Sequence, residues 1–179
     1  MRKICVVLFF ILLSIFASVC YSKTLDEIFG NITYVIHYGP YEERVKLIEG
    51  KYEAPGYINI YYKGKYVTGD FNADGINDAA ALYSEDGGGS GTFYRLAFLI
   101  NENGQLLHKD TRYLGDRVVI YSMKEQEGKI VIDMLTHDKG DCMAGPTKRV
   151  QNVYEYYGPE VWQEGWDMSG KNNQITFGR

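Results

Sequence analysis

Nine consecutive residues, Asp70-Phe71-Asn72-Ala73-Asp74-Gly75-Ile76-Asn77-Asp78, carry side-chain oxygens at positions 1, 3, 5 and 9 and a glycine at position 6. That spacing suits a hard divalent cation, which collects six to eight oxygens at about 2.3–2.6 Å from alternate residues of one tight loop. Asp70, Asn72 and Asp74 would supply side-chain ligands, Ile76 its backbone carbonyl, and Asp78 a further ligand, directly or through water. Gly75 falls where such a loop turns into the left-handed region, which a residue with a Cβ adopts at a cost. Asp, Asn and Gly are also the ordinary material of exposed turns, so a plain turn is the competing reading. The expected cofactor is calcium.

A helix-loop-helix calcium site needs a bidentate Glu at position 12, where this chain has Ala81. The standard EF-hand is therefore excluded. The shorter pattern resembles the calcium loops of FG-GAP and related β-repeat proteins, in which the ion sits between two strands. Remaining ligands would come from water or from elsewhere in the chain, Glu85 and Asp86 being the nearest carboxylates beyond the loop.

Other reactive residue types are sparse. His137-Asp138-Lys139-Gly140-Asp141-Cys142 is the one stretch that crowds a histidine, carboxylates and a thiol. It carries the alternative expectation of a hydrolase, against a polar loop after a strand, since catalytic partners generally meet through the fold and not along the chain. Zinc would need three or four ligands, and His37 and His108 lie far away in sequence. Arg117, following Asp116, reads as an ion-pair or turn residue before an anion clamp. Asp86-Gly87-Gly88-Gly89-Ser90-Gly91 is no phosphate cradle, because a strand-like run from Thr92 to Ile100 follows it in place of a helix. Tyr52, Tyr57, Tyr61, Tyr62 and Tyr66 suit a protein- or carbohydrate-binding platform, or ordinary sheet positions with wet hydroxyls.

The elements that must position these groups are mainly strands. Thr24 caps a short helix over Leu25 to Phe29, with Asp26 and Glu27 in its first turn and Gly30 as its stop. Strands are expected over Ile32–Ile36 and Arg44–Ile48, then as a hairpin of Tyr57–Tyr62 and Lys65–Thr68 turning at Lys63-Gly64. Further strands follow at Asp78–Ser84, Thr92–Ile100, Gln105–Tyr113, Val118–Met123, Ile130–Leu135 and Arg149–Tyr157. Trp162, Trp166 and Phe177 lie in a tail with no assigned element. Sixteen Tyr and 20 Gly against four Pro agree with many short strands and turns.

Ahead of this domain, Arg2 and Lys3 precede an apolar run from Ile4 to Phe16 and a small-residue exit, the pattern of a secretory signal over residues 1–20. Residues 21–179 then form a single domain. An uncleaved anchor and a lipidated Cys20 are the competing readings, and only they would place the chain on a membrane. Export points to a periplasmic or secreted protein, or to a lipid-anchored one. Cys142 is the one cysteine beyond Cys20, so no disulfide framework forms within the monomer. The chain carries a formal charge of −4, more negative without Arg2 and Lys3, and no basic cluster, which excludes a nucleic-acid partner.

Taken together, Gly69-Asp70-Phe71-Asn72-Ala73-Asp74-Gly75, Gly88-Gly89-Ser90-Gly91-Thr92-Phe93-Tyr94, Leu114-Gly115-Asp116-Arg117-Val118 and Asp133-Met134-Leu135-Thr136-His137 resemble, in order and spacing, a family of uncharacterised bacterial exported proteins and lipoproteins. The resemblance covers about Asn31 to Tyr157. It implies an exported location and an EF-hand-like calcium motif, but no reaction. Relatives carry adjacent cysteines just before Pro146-Thr147, where this chain has Ala144-Gly145, so a metal or redox role of that pair does not transfer. The resulting expectation is an antiparallel β meander, a sandwich or partial barrel, with one short N-terminal helix. Its expected function is that of an exported, calcium-stabilised, non-enzymatic binding or envelope-associated protein, whose partner is an envelope protein or polysaccharide.

Overall fold

Ala79-Ala80-Ala81-Leu82-Tyr83 is apolar at successive positions, and a strand of that kind must bury both of its faces. The computed structural model, which describes residues 23–38, 41–142 and 145–158, shows how. The expected signal segment and Cys20, Ala144, and the tail with Trp162, Trp166 and Phe177 lie outside the described residues. In chain order come helix α1 (Leu25–Phe29), then strands β1 (Thr33–Tyr38), β2 (Tyr41–Lys46), β3 (Lys51–Ala54), β4 (Ile58–Gly69) and β5 (Asp78–Asp86). They are followed by β6 (Phe93–Glu102), β7 (Gln105–Asp116), β8 (Val119–Gln126), β9 (Lys129–Thr136) and β10 (Lys148–Tyr154).

Strands β3 to β7 form a five-stranded antiparallel meander with β5 in the middle, and only Asp86 at the end of β5 is partly exposed. Strands β8 to β10 form a second meander, and β1 and β2 a separate hairpin. The central sheet is covered on both faces. On one, Tyr34, Ile36, Val45 and Leu47 of the hairpin and Phe29 of α1 pack on Ile60, Ala79, Ala81, Tyr83, Ala97 and Leu99. On the other, Ile130, Ile132 and Met134 of β9 meet Ala80, Leu82, Leu96, Phe98 and Ile100. The fold is mainly β, as expected, and its sheets stay open without closing into a barrel. The three alanines of β5 keep the middle strand thin, letting both outer layers approach closely.

Two expectations change. Lys63-Gly64 does not turn a hairpin: β4 runs unbroken beside β5, and Lys63, Gly64 and Lys65 form a bulge, because Tyr62 pairs with Tyr83 and Tyr66 with Ala81. Gly64, at φ +64°, supplies the left-handed residue. The strand paired with Tyr57–Tyr62 is the short edge strand β3, whose four residues carry too little pattern to stand out. The helix forms as expected. Thr24 accepts from the Glu27 N–H at 3.2 Å while the Glu27 carboxylate accepts from the Thr24 N–H at 2.8 Å, a reciprocal capping box.

His108 fastens the hairpin to the sheet. Its Nδ1 accepts the Val35 N–H at 2.7 Å, so the ring hydrogen belongs on Nε2, which lies 3.0 Å from the Asp110 carbonyl and 2.9 Å from the Thr111 hydroxyl. Burial among Tyr34 and Tyr83 lowers its pKa from 6.5 to about 4, against the opposing pull of the Asp110 carbonyl.

Candidate metal centre

The nine-residue stretch is the connection between β4 and β5, so the pairing of Gly69 with Asp78 brings its two ends together. Within it the carboxylates turn onto the loop's own amides. Asp70 accepts the Asp74 N–H at 3.1 Å through Oδ1 and the Gly75 N–H at 2.9 Å through Oδ2. The Asn72 carbonyl oxygen accepts the Asp74 N–H at 3.1 Å, and Asp74 accepts the Ile76 N–H at 2.8 Å and the Asn72 amide at 2.8 Å. Ala73 and Gly75 stand at φ +61° and +84°, the left-handed geometry that closes the turn.

Asp78 has a different position from the rest. It is 1 % exposed, and its oxygens accept the N–H groups of Phe71 at 3.0 Å and of Asn101, on β6, at 2.9 Å. It clasps the loop to the neighbouring strand, while Asp70 and Asn72 are half-buried and Asp74 is exposed. Glu85 and Asp86 do not complete the site. A strand rise of about 3.3 Å per residue puts them on the order of 25 Å from Asp78, at the opposite end of β5. There Glu85 is paired with Arg95 at 2.9 Å.

A carboxylate offers about four lone-pair sites. Asp70 and Asp74 each accept two hydrogen bonds within the loop, so each retains capacity for a cation. A cation here would meet two carboxylates, the Asn72 amide oxygen and the Ile76 carbonyl, hard oxygens of the kind calcium takes, and would complete its shell with water. Among the described residues no group of three or more His, Cys, Asp or Glu side chains is placed to hold a metal, so this is not a cage of acids.

Sequence reasoning missed what lies against the loop. A Cβ on Gly69 would stand 2.7 Å from Glu125 Cγ, and one on Gly128 would stand 3.4 Å from the Asp70 carbonyl oxygen. The β8–β9 turn, closed by the Gly128 N–H donating to Glu125 at 2.8 Å, therefore rests on the first residues of the loop. Gly69 beside the motif was the available signal.

The other three motifs meet at the far end of the sheet. The Thr92 N–H donates to Asp116 at 2.8 Å, the Arg117 N–H to the Thr92 carbonyl at 2.7 Å, and Gly115 stands beside Thr136. Arg117 holds Asp116 through Nε at 3.0 Å, the structural ion pair expected. Burial pushes the Asp116 carboxyl up, but the Arg117 guanidinium, the Thr92 amide and the nearby His137 outweigh it and hold it below the usual range. His137 is thus close to Asp116, with its Nε2 buried and without a hydrogen-bond partner. Asp141 accepts from the Thr147 hydroxyl at 2.6 Å and the Asp138 N–H at 2.8 Å, which hold its carboxyl low, and Cys142 is exposed. Among the described residues no hydrogen bond joins His137 to Asp116, Asp141 or Cys142.

The tyrosines divide between faces. Tyr52, Tyr62 and Tyr66 pack on the cluster around Phe29, Tyr61 donates to Glu53 at 3.1 Å, and Tyr57 donates to Glu43 at 3.0 Å. Tyr62 also donates to Asp26 at 2.7 Å, and burial followed by that bond raises its pKa. Compared with protein-family models, curated proteins and solved structures, the chain finds no match in any of the three.

Proposed function

We propose that the protein is an exported, calcium-stabilised binding protein of the cell envelope, acting on an envelope protein or polysaccharide without catalysis. The observation that carries this reading is the β4–β5 connection, where Asp70, Asn72 and Asp74 turn oxygens toward one exposed loop that Asp78 clasps from beneath. Calcium there would tie together a connection on which the β8–β9 turn also rests. The resemblance to exported proteins and lipoproteins supports the location, and the acidic balance fits partners other than nucleic acid.

Thermal melts with calcium and with chelator test it, on protein recovered from the envelope whose intact mass reports whether residues 1–20 are gone. Extracellular calcium modules bind at roughly 0.1–1 mM, so calcium at tenfold saturation adds on the order of 1.4 kcal/mol. Asp74→Ala should abolish the difference. Superimposed curves for the unaltered protein would reduce the loop to an ordinary turn.

A further inference from the structure

We propose a second site, independent of the calcium reading: the cleft between β4 and the start of β8 binds a small amphipathic monocarboxylate. The cleft measures about 250 Å³ and opens where the two large sheets part. Its lining includes Leu82 and Tyr94 from the central sheet, Val118 just before β8 and Ile120 on it. The rim on the β4 side is Lys63 and Lys65.

The lysines belong to the β4 bulge. Three residues of β4 stand opposite Leu82 alone, and in that bulge Lys63 and Lys65 flank Gly64 at exposed positions. Bulges recur where a strand must re-aim a side chain. In an acidic chain whose described arginines are all ion-paired, neither lysine is in an ion pair among the described residues. Lys63 Nζ lies 5.5 Å from the centre of the Tyr94 ring. Two ammonium groups bordering an apolar floor complement a carboxylate attached to an apolar body.

Ser84 lies close to the cleft in sequence and pairing but outside its lining. It follows Leu82 by two residues on the same face, pairs across with Tyr94, and is 1 % exposed, yet its hydroxyl has no hydrogen-bond partner. A buried hydroxyl without a partner is costly, but Ser84 is not part of the cleft lining, so the recognition rests on the lysines and the apolar floor. Ligand sites usually occupy about 300–1,000 Å³, so this one takes an acid at the small end of the range, a medium-chain alkyl or a monoaryl carboxylate.

The test is a methyl-detected NMR titration of the full chain with sodium octanoate below its micelle concentration, and with phenylacetate, acetate and octan-1-ol. Octanoate or phenylacetate should give saturable shifts at Leu82, Val118 and Ile120, and whichever binds tighter identifies an alkyl or an aryl acid. Acetate and octanol should bind at least about tenfold more weakly, since each lacks one half of the recognition. Lys63→Gln with Lys65→Gln, both at exposed positions, should keep the melting temperature and weaken octanoate by about tenfold or more. The proposal is overturned by the absence of saturable shifts with both acids, by octanol binding as well as octanoate, or by the double variant binding like the parent.

Discussion

Acidification should release the β1–β2 hairpin before it attacks the rest of the fold, and His108 sets the range. Its imidazole is held neutral in the folded chain, with a pKa of about 4 against 6.5 when unfolded, because burial penalises the charge. Protonation would also remove the lone pair that accepts the Val35 N–H, leaving two donors facing each other. Between pH 6.5 and 4 this imidazole binds up to one more proton in the unfolded chain than in the folded one, so its effect is that stability falls as pH falls. The contribution is fully present above 6.5 and lost by about pH 4. A lowering from 6.5 to about 4 is worth roughly 3 kcal/mol, and the slope approaches about 1.4 kcal/mol per pH unit mid-window. Carboxylates held low by partners, such as Asp116 and Asp141, lose their contribution only as pH falls below the ordinary carboxylate range, so they leave this window nearly clear. Urea unfolding at closely spaced pH values measures the slope, and amide exchange at Val35 reports whether the hairpin opens first. His108→Gln should be less stable at pH 7.5 but nearly flat from 6.5 to 4.5. An imidazole that titrates near 6.5 in the folded protein, or a parent slope equal to that of the Gln variant, would refute the reasoning.

Asp78→Ala should destabilise the fold by about 3 kcal/mol, because it strands one buried and one half-buried N–H group that now donate to a carboxylate. Urea midpoints with chelator present measure this apart from any cation, and a loss below about 1 kcal/mol would contradict the clasp. Gly69→Ala should cost about 1–2 kcal/mol by displacing Glu125, whose Cγ the new methyl would meet at 2.7 Å. Adding Glu125→Ala should recover most of that loss, and simple additivity of the two changes would show that they do not touch.

How much of this could be read from the residues depends on whether the cause was local. The capping box at Thr24, the buried strand through Ala79–Tyr83 and the turns at Asn103-Gly104 and Glu127-Gly128 arise from neighbours in sequence, and each is legible there. Lys63-Gly64 misled because a glycine with positive φ serves a bulge as readily as a hairpin. The choice was made by β5, whose pairing with β4 continues on both sides of the glycine. β3 escaped notice because a four-residue edge strand is specified by its partner more than by its own pattern.

The same distinction divides the candidate metal site. Spacing located Asp70, Asn72 and Asp74 on one connection, since alternate residues of a short loop share a side whatever surrounds them. It could not separate Asp78 from them, because that residue's role depends on Asn101, which β5–β6 pairing brings alongside. Nor could proximity in sequence identify remaining ligands: Glu85 and Asp86, adjacent in a list of residues, are carried away by the length of β5, whereas Glu125, remote in sequence, is delivered beside Gly69 by the packing of one sheet on the other. An extended strand separates what the chain places together, and sheet stacking joins what it separates. Asp78 therefore joins the loop to the neighbouring strand: a change there should loosen both the loop that would hold calcium and the edge of β6 to which it is fastened, so amide exchange at Asn101 should rise together with exchange at Phe71.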